Sequence, residues 1–233
     1  MIYFTSDLHL NHNKEFIYKA RGFDTVEQMN ESIISNINSI VGDDDELDVL
    51  GDIFLGDNEE GIKLFSRING NIHIILGNHD TDTREQIFVE RCDKVCEVTR
   101  AKVLKYGKYR FYLSHYPTLT AEGPKEKMSL ALINLFGHTH QTERFFNGNP
   151  FMYNVSVDAH GCKPVSIEDV INNIKERVNE VASSEESRRE SVLKAKENIE
   201  DWLEYVSSLN ECAFSDAMLF NAIKILQSVY NEE

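Results

Sequence analysis

Glycine and proline, the residues that interrupt regular structure, are confined to one part of this chain. All 12 glycines and all 4 prolines fall within residues 1–164 of 233, the last being Gly161 and Pro164. Residues 165–233 contain neither over 69 positions. A breaker-free run rich in Glu, Lys, Ala, Leu, Ser and Asn has helical character. Helices are expected near 166–182, 186–208 and 214–230, with SSEES at 183–187 as a hinge. Ser166 is placed to cap the first, and Glu168 and Asp169 in its first turn favour the positive end of the helix dipole. In the second, Val192, Ile199, Trp202, Leu203 and Val206 recur at helical spacing. Residues 184–233 carry 11 acidic and 5 basic side chains, a net of −6, so the outer face of this segment is solvated and anionic.

The first 164 residues read differently. Short β-branched or aromatic runs alternate with turn chemistry and helical stretches, an α/β pattern. Strands are expected at 2–6, 47–50, 72–76, 95–99, 102–106, 109–114, 132–136 and 153–157. The best helix is 25–40, where Asp24 and Glu27 have capping-box spacing and Val26, Met29, Ile33, Ile34, Ile37 and Ile40 form an apolar stripe. Shorter helices are expected near 58–68 and 83–91. With 41% apolar residues the chain can bury one sizeable core and a small appendage.

Several function classes are disfavoured by composition. There are 24 Lys and Arg against 39 Asp and Glu, a net of −15, and such a field repels polyanions. A long nucleic acid is therefore a poor partner. The opening MIYFTSDLHL lacks the basic start and apolar run of a secretory signal, and no stretch approaches the ~18 apolar residues of a membrane span. A soluble, cytoplasmic protein without a membrane partner is expected. Cys92, Cys96, Cys162 and Cys212 form no C-x-x-C pair, which favours reduced thiols.

Five of the eight histidines, His9, His79, His115, His138 and His140, lie just after expected strand ends, where α/β folds assemble their sites. Imidazole nitrogens and carboxylate oxygens suit borderline divalent metals. Five pieces follow one another along the chain: Asp7-Leu8-His9, Gly51-Asp52, Gly77-Asn78-His79-Asp80, the single His115, and Gly137-His138-Thr139-His140. On an extended segment, residues two apart face the same way, so Asp7 and His9 can share a metal, as can His138 and His140. The glycines before Asp52, Asn78 and His138 leave room for backbone to approach a crowded centre. No Ser or Cys stands in a nucleophile motif.

These five pieces resemble the pattern of the calcineurin-like metallophosphoesterase family, D-x-H, G-D, G-N-H-D/E, H and G-H-x-H, over roughly residues 1–170. SDLHLNH, SHYP and NVSVD are similar to a compact bacterial and phage subgroup. The resemblance implies a four-layer αββα sandwich of two mixed sheets, and with the hinge at 183–187 the chain is expected to divide into a catalytic domain over 1–182 and a C-terminal helical extension over 183–233. It implies a dinuclear metal centre with Mn²⁺ foremost and Fe, Zn²⁺ or Ni²⁺ as alternatives. One ion would be held by Asp7, His9 and His140 and the other by Asn78, His115 and His138, with Asp52 bridging. His79 would face the substrate as general acid, oriented from behind by Asp80. The chain departs from many relatives at Leu55, where they carry an aspartate, and Asp57 is a candidate replacement.

The implied activity is hydrolysis of a small phosphodiester, a nucleotide among the candidates, by a metal-bridging hydroxide. Phosphomonoester hydrolysis and a non-catalytic metal-binding scaffold remain as alternatives. Arg21 and Arg144 are candidate phosphate clamps, with surface arginine as the bland reading. His12 reads as a solvent-exposed loop residue, His73 as a packed or sheet-edge histidine and His160 as a residue that could line the cleft. Cys92 and Cys96 read as structural thiols. The stripe Phe214, Met218, Ile223, Ile225, Leu226 and Val229 either packs on a neighbouring helix or forms a homodimer face.

Overall fold

Alternation of apolar residues with period two decides which face of each strand is buried and against what. The computed structural model describes residues 1–120 and 127–208, with backbone alone at 195 and 197–208. In the first sheet β1 (Ile2–Thr5), β2 (Glu46–Val49), β3 (Asn71–Ile75) and β4 (Val95–Thr99) run parallel in the order β4-β3-β2-β1. A short antiparallel strand, β9 (Val165–Ser166), completes it beside β1. The second sheet has the order β5-β6-β7-β8: β5 (Ala101–Tyr106) is antiparallel to β6 (Tyr109–Ser114), while β7 (Leu132–Phe136) and β8 (Met152–Asn154) continue parallel to β6.

Leu47, Val49, Ile72 and Ile74 point away from the second sheet, into a cluster with residues of three helices. Those are α2 (Val26–Asn38) through Met29, Ile33 and Ile37, α3 (Asn58–Phe65) through Ile62 and Phe65, and α4 (Asp82–Arg91) through Phe88. On the other face Phe4, Leu50 and Ile75 meet Phe111, Leu113, Ile133, Leu135 and Tyr153, forming the core between the sheets. Each such side chain contributes about 1.5–3 kcal/mol by leaving water. Ile167, Val170, Ile171 and Ile174, in the first turns of α5 (Ile167–Ser208), join the same core. The two face-packed mixed sheets with flanking helices are the architecture that the family resemblance implies.

The inter-sheet layer becomes ionic toward β4 and β5. Lys102 Nζ lies 2.6 Å from Asp48 Oδ1 and 3.2 Å from Glu97, and His73 Nε2 lies 2.6 Å from Glu46. His73 is thus a paired sheet histidine, as its apolar flanks suggested.

Several local expectations shift. The cap of α2 is Thr25 rather than Asp24: Thr25 holds the extended backbone at the helix entrance, and its hydroxyl accepts from Gln28 N. Ser166 caps α5 as expected, accepting from Asp169 N at 3.0 Å. Residues 183–187 are helical, within α5, rather than a break between two helices, since Ser and Glu without Gly or Pro do not forbid a helix. The four-residue α1 (Glu15–Tyr18) and the two-residue β9 were not expected.

The chain divides into two units, Met1–Ala182 and Ser183–Glu233. The 214–230 helix, its apolar stripe, the homodimer face and Cys212 lie outside the described residues. Cys92 and Cys162 are buried and Cys96 is exposed, all three as free thiols. Among the described residues no helix is long and apolar enough to cross a membrane.

Candidate metal centre

Strands β1, β2, β3, β6, β7 and β8 each run at their carboxyl ends into one cleft. They deliver in turn Asp7 and His9; Asp52; Asn78, His79 and Asp80; His115; His138 and His140; and Asp158. A parallel bridge between Ser6 and Ser156 joins the sheets at this end.

The strand-alternation argument for Asp7 and His9 gives the right neighbours for the wrong reason. β1 ends at Thr5, and the chain continues beside residues 51–53 through Asp7 N to Gly51 O, His9 N to Asp52 O and Leu10 N to Ile53 O, each 3.0 Å. Asp7 (φ 56°), His9 (φ 48°), Asp52 (φ 54°), His138 (φ 68°) and His140 (φ 52°) all adopt the left-handed region. That conformation costs a non-glycine residue about 1–3 kcal/mol and persists only where the surroundings enforce it. Positive φ, not pleating, turns these side chains toward one point.

Backbone crowding enforces it. A Cβ on Gly51 would stand 2.6 Å from Gly77 Cα, and one on Gly137 would overlap Ser6 Oγ and Asp7 Oδ2. Asp7, wholly buried, accepts the His138 N–H with both carboxylate oxygens, at 3.1 and 2.9 Å. Burial pushes its pKa up.

Two groups of side chains bring their ligating atoms within 4.8 Å of one another and could hold a metal ion: Asp7 with His9 and His140, and Asp7 with Asp52 and His115. Asp52 Oδ2 stands 3.6 Å from His9 Nε2 and 3.6 Å from His115 Nε2. Asn78 Oδ1 lies 2.9 Å from both His115 Nε2 and His138 Nδ1. His115 Nδ1 contacts the Leu50 carbonyl at 2.8 Å, an arrangement that in the neutral ring favours the proton on Nδ1 and the lone pair on Nε2, beside Asp52 and Asn78. His9 Nε2 is buried without a hydrogen-bond partner, and burial holds the His9 pKa down to about 2. A buried polar atom without a partner is costly unless something else satisfies it, and a divalent cation among these nitrogens and oxygens would do so. All seven residues expected as ligands are therefore brought together.

The residues behind them behave differently from expectation. Arg21 is no phosphate clamp, because its side chain is 3% exposed and every donor is taken. Nε and Nη2 bind the Asp158 carboxylate at 2.8 and 2.9 Å; the other Nη2 and Nη1 hydrogens go to Asp7 O, Leu8 O and Met29 Sδ. Asp158 in turn accepts from His140 Nδ1 at 2.9 Å, which raises the His140 pKa and leaves Nε2 facing Asp7 at 3.9 Å. Burial acts to raise the Asp158 pKa, but its bonds to His140 and Arg21 outweigh that and hold it below the ordinary carboxylate range.

Asp80 was expected to orient His79. Its carboxylate instead accepts three backbone N–H groups, from Asp52 at 2.8 Å, Gly77 at 2.9 Å and Ile53 at 3.2 Å, tying the loop after β2 to the loop after β3. Asp57 does not replace the missing aspartate of Leu55; it caps α3 by accepting from Glu60 N. His79 donates its backbone N–H to Asp52 Oδ1 at 2.9 Å, and its ring is 44% exposed, with Nε2 3.9 Å from Asp52 Oδ2. Its carbonyl is gripped by Arg84, whose guanidinium also lies over the Phe54 ring.

No family model matches the chain. It is 33% identical over 184 residues to the uncharacterized protein MJ1445 of Methanocaldococcus jannaschii, covering 75% of this chain and 91% of that protein. It is 30% identical over 201 residues to the gene 66 protein of Mycobacterium phage L5, covering 75% and 95%. The chain belongs to their family.

The fold of this MJ1445-family member is shared with the protein of unknown function AQ665 from Aquifex aeolicus. The match has a TM-score of 0.57 at 23% identity and covers 74% of this chain and 98% of the other. Among the residues that support the site in this MJ1445-family chain, the sequence reading missed Arg84 and Asp158 and misread Arg21 and Asp80. The phrase NVSVD was the available signal for Asp158. His160 turns away to the Asn154 carbonyl at 2.9 Å, and Arg144 meets Asn173 at 3.5 Å.

Proposed function

We propose that this chain is a metal-dependent phosphoesterase that hydrolyses a phosphodiester, with a nucleotide-type diester foremost, using two divalent ions held side by side. The observation that carries the reading is His9 Nε2: buried, without a partner, and 3.6 Å from Asp52 Oδ2, too far for a hydrogen bond but suited to sharing a cation. Asp7, His9 and His140 would hold one ion and Asn78, His115 and His138 the other. Asp52, whose Oδ2 is equally distant from His9 and His115, would touch both. Mn²⁺ suits this mixed nitrogen and oxygen set, as do Fe, Zn²⁺ and Ni²⁺. When bound, such ions neutralise phosphoester charge and lower the pKa of water, supplying a nucleophile at neutral pH.

The chain's own groups do the remaining work. His79, pinned through its backbone and exposed at its ring, is suited to give a proton to the departing alkoxide. Arg21 and Arg84 are engaged by protein groups, so neither is available to meet the second negative charge of a monoester. The exposed ring of Phe16 (71%) contacts His12, and that of Tyr116 (49%) contacts His138. Such faces can take a flat leaving group such as a nucleobase.

The test is hydrolysis of bis-p-nitrophenyl phosphate beside p-nitrophenyl phosphate by metal-stripped protein, with Mn²⁺ restored and Asp52→Asn as control. Diester turnover that needs both Mn²⁺ and Asp52 is expected. His79→Ala should bind Mn²⁺ like the parent but lose most turnover on an alkyl diester. Stoichiometric Mn²⁺ binding without turnover of either ester would shift the reading to a non-catalytic scaffold.

A further inference from the structure

His12 stands outside the groups given a part so far. Its Nδ1 lies 3.0 Å from His9 Nδ1, with the ring planes 22° apart and the centroids 5.1 Å apart, so the two imidazoles meet edge to edge. The turn that presents it is well defined. His12 N donates to His9 O at 3.1 Å, Asn11 holds φ 58°, and Asn11 N is bound by Asn30 Oδ1 at 3.0 Å from α2.

Two neutral imidazoles facing each other at this distance hold one proton between their nitrogens. Were it on His12, His9 would carry its own proton on Nε2, where it would occupy the lone pair that a cation needs. With the proton on His9 Nδ1, the His9 Nε2 lone pair is free on the Asp52 side. We propose that His12 is a positioning residue that accepts the His9 Nδ1 proton and so locks His9 in the tautomer able to bind a divalent cation. The proposal rests on the metal-binding reading above.

Histidine ligands ordinarily pass their second N–H to a carbonyl or carboxylate, which fixes ring and tautomer together. His115 does this with Leu50 O and His140 with Asp158, but the acceptor for His9 is another imidazole. A neutral acceptor adds no negative charge beside Asp7 and Asp52, which are already buried. It also leaves the proton of His12 itself on Nε2.

The experiment uses the full-length protein, stripped of metal. Long-range ¹H–¹⁵N spectra read the His9 tautomer directly, and calorimetry with Mn²⁺ and visible absorption with Co²⁺ read the site. Variants are His12→Phe, which keeps a ring without an acceptor, and His12→Asn, whose amide oxygen can stand in for Nδ1. The parent is expected to show His9 as the Nδ1–H tautomer. His12→Phe should weaken one ion about 10–100-fold and alter the Co²⁺ spectrum, and His12→Asn should restore affinity to within about threefold of the parent. An Nε2–H tautomer in the parent would overturn the proposal. So would a Phe variant that binds like the parent, or an Asn variant as weak as Phe when both melt like the parent. If the parent binds neither Mn²⁺ nor Co²⁺, the metal reading fails and the proposal with it. Binding by the parent matched by the Phe variant refutes the proposal alone.

Discussion

Replacing Asp80 with Asn changes one atom in a side chain that is 6% exposed and accepts three backbone N–H groups. The better orientation keeps the amide oxygen where Oδ2 stood, between Asp52 N and Gly77 N, and puts the NH₂ opposite Ile53 N. One bond is lost and two donors then face each other, a buried mismatch of about 1–3 kcal/mol. The two surviving bonds lose the carboxylate charge that strengthens them. Relief of the buried charge, visible in the raised Asp80 pKa, offsets part of this. The expected loss is about 2–3 kcal/mol, or roughly 4–12 °C in Tm for a domain of this size. Because Ile53 N, next to Asp52, loses its anchor and the bond to Asp52 N weakens, Mn²⁺ affinity should also fall by about 10-fold or more. Thermal melting of the metal-free protein and calorimetric Mn²⁺ titration read the two effects. A melt within about 1 °C of the parent with unchanged Mn²⁺ affinity, and a defect only in leaving-group dependence, would refute the clamp and return Asp80 to the role of orienting His79.

Arg21→Lys keeps the charge but not the five-donor fork, and should lower stability by about 3 kcal/mol and weaken metal binding through Asp158 and His140; melting and Co²⁺ titration check both. His160, whose pKa burial lowers to about 4, stays neutral in the folded chain while the unfolded chain protonates near pH 6.5. Its contribution is therefore full above about pH 6.5 and lost as pH falls toward 4, by about 3 kcal/mol in all. Urea melts across that range should show a shallower pH slope for His160→Gln. Lys102→Met strands the buried Asp48 and should cost about 3 kcal/mol, most of which Asp48→Asn in the same chain should recover. A double variant no more stable than the single one would disprove that coupling.

The groups that meet at the cleft were legible because His, Asp and Asn at strand ends are chemically conspicuous, and because each is preceded or followed by a turn the sequence marks. Their supports were not. Arg21 meets Asp158 across 137 positions, and nothing local distinguishes a buried arginine from a surface one. Asp80 was misread from its adjacency to His79, although its oxygens reach back to residues 52 and 53. The α/β pattern followed from strands long enough to show in the sequence, and the sandwich from the family resemblance, whereas α1 and β9, at four and two residues, are shorter than any repeat that could reveal them. The expected break at 183–187 failed because a cluster of serines resembles a loop in composition without containing a residue that forbids a helix.

The left-handed backbone at Asp7, His9, Asp52, His138 and His140 limits how this centre can drift under mutation. Asn, Asp, His and Gly accept that conformation, whereas β-branched residues do not. Changes that spare the backbone therefore exchange carboxylate, amide and imidazole, and changes to Val, Ile or Thr damage folding before metal choice comes into play. Selection acting on this scaffold can exchange nitrogen and oxygen donors at these positions, but it meets a folding barrier on the way to an apolar cleft.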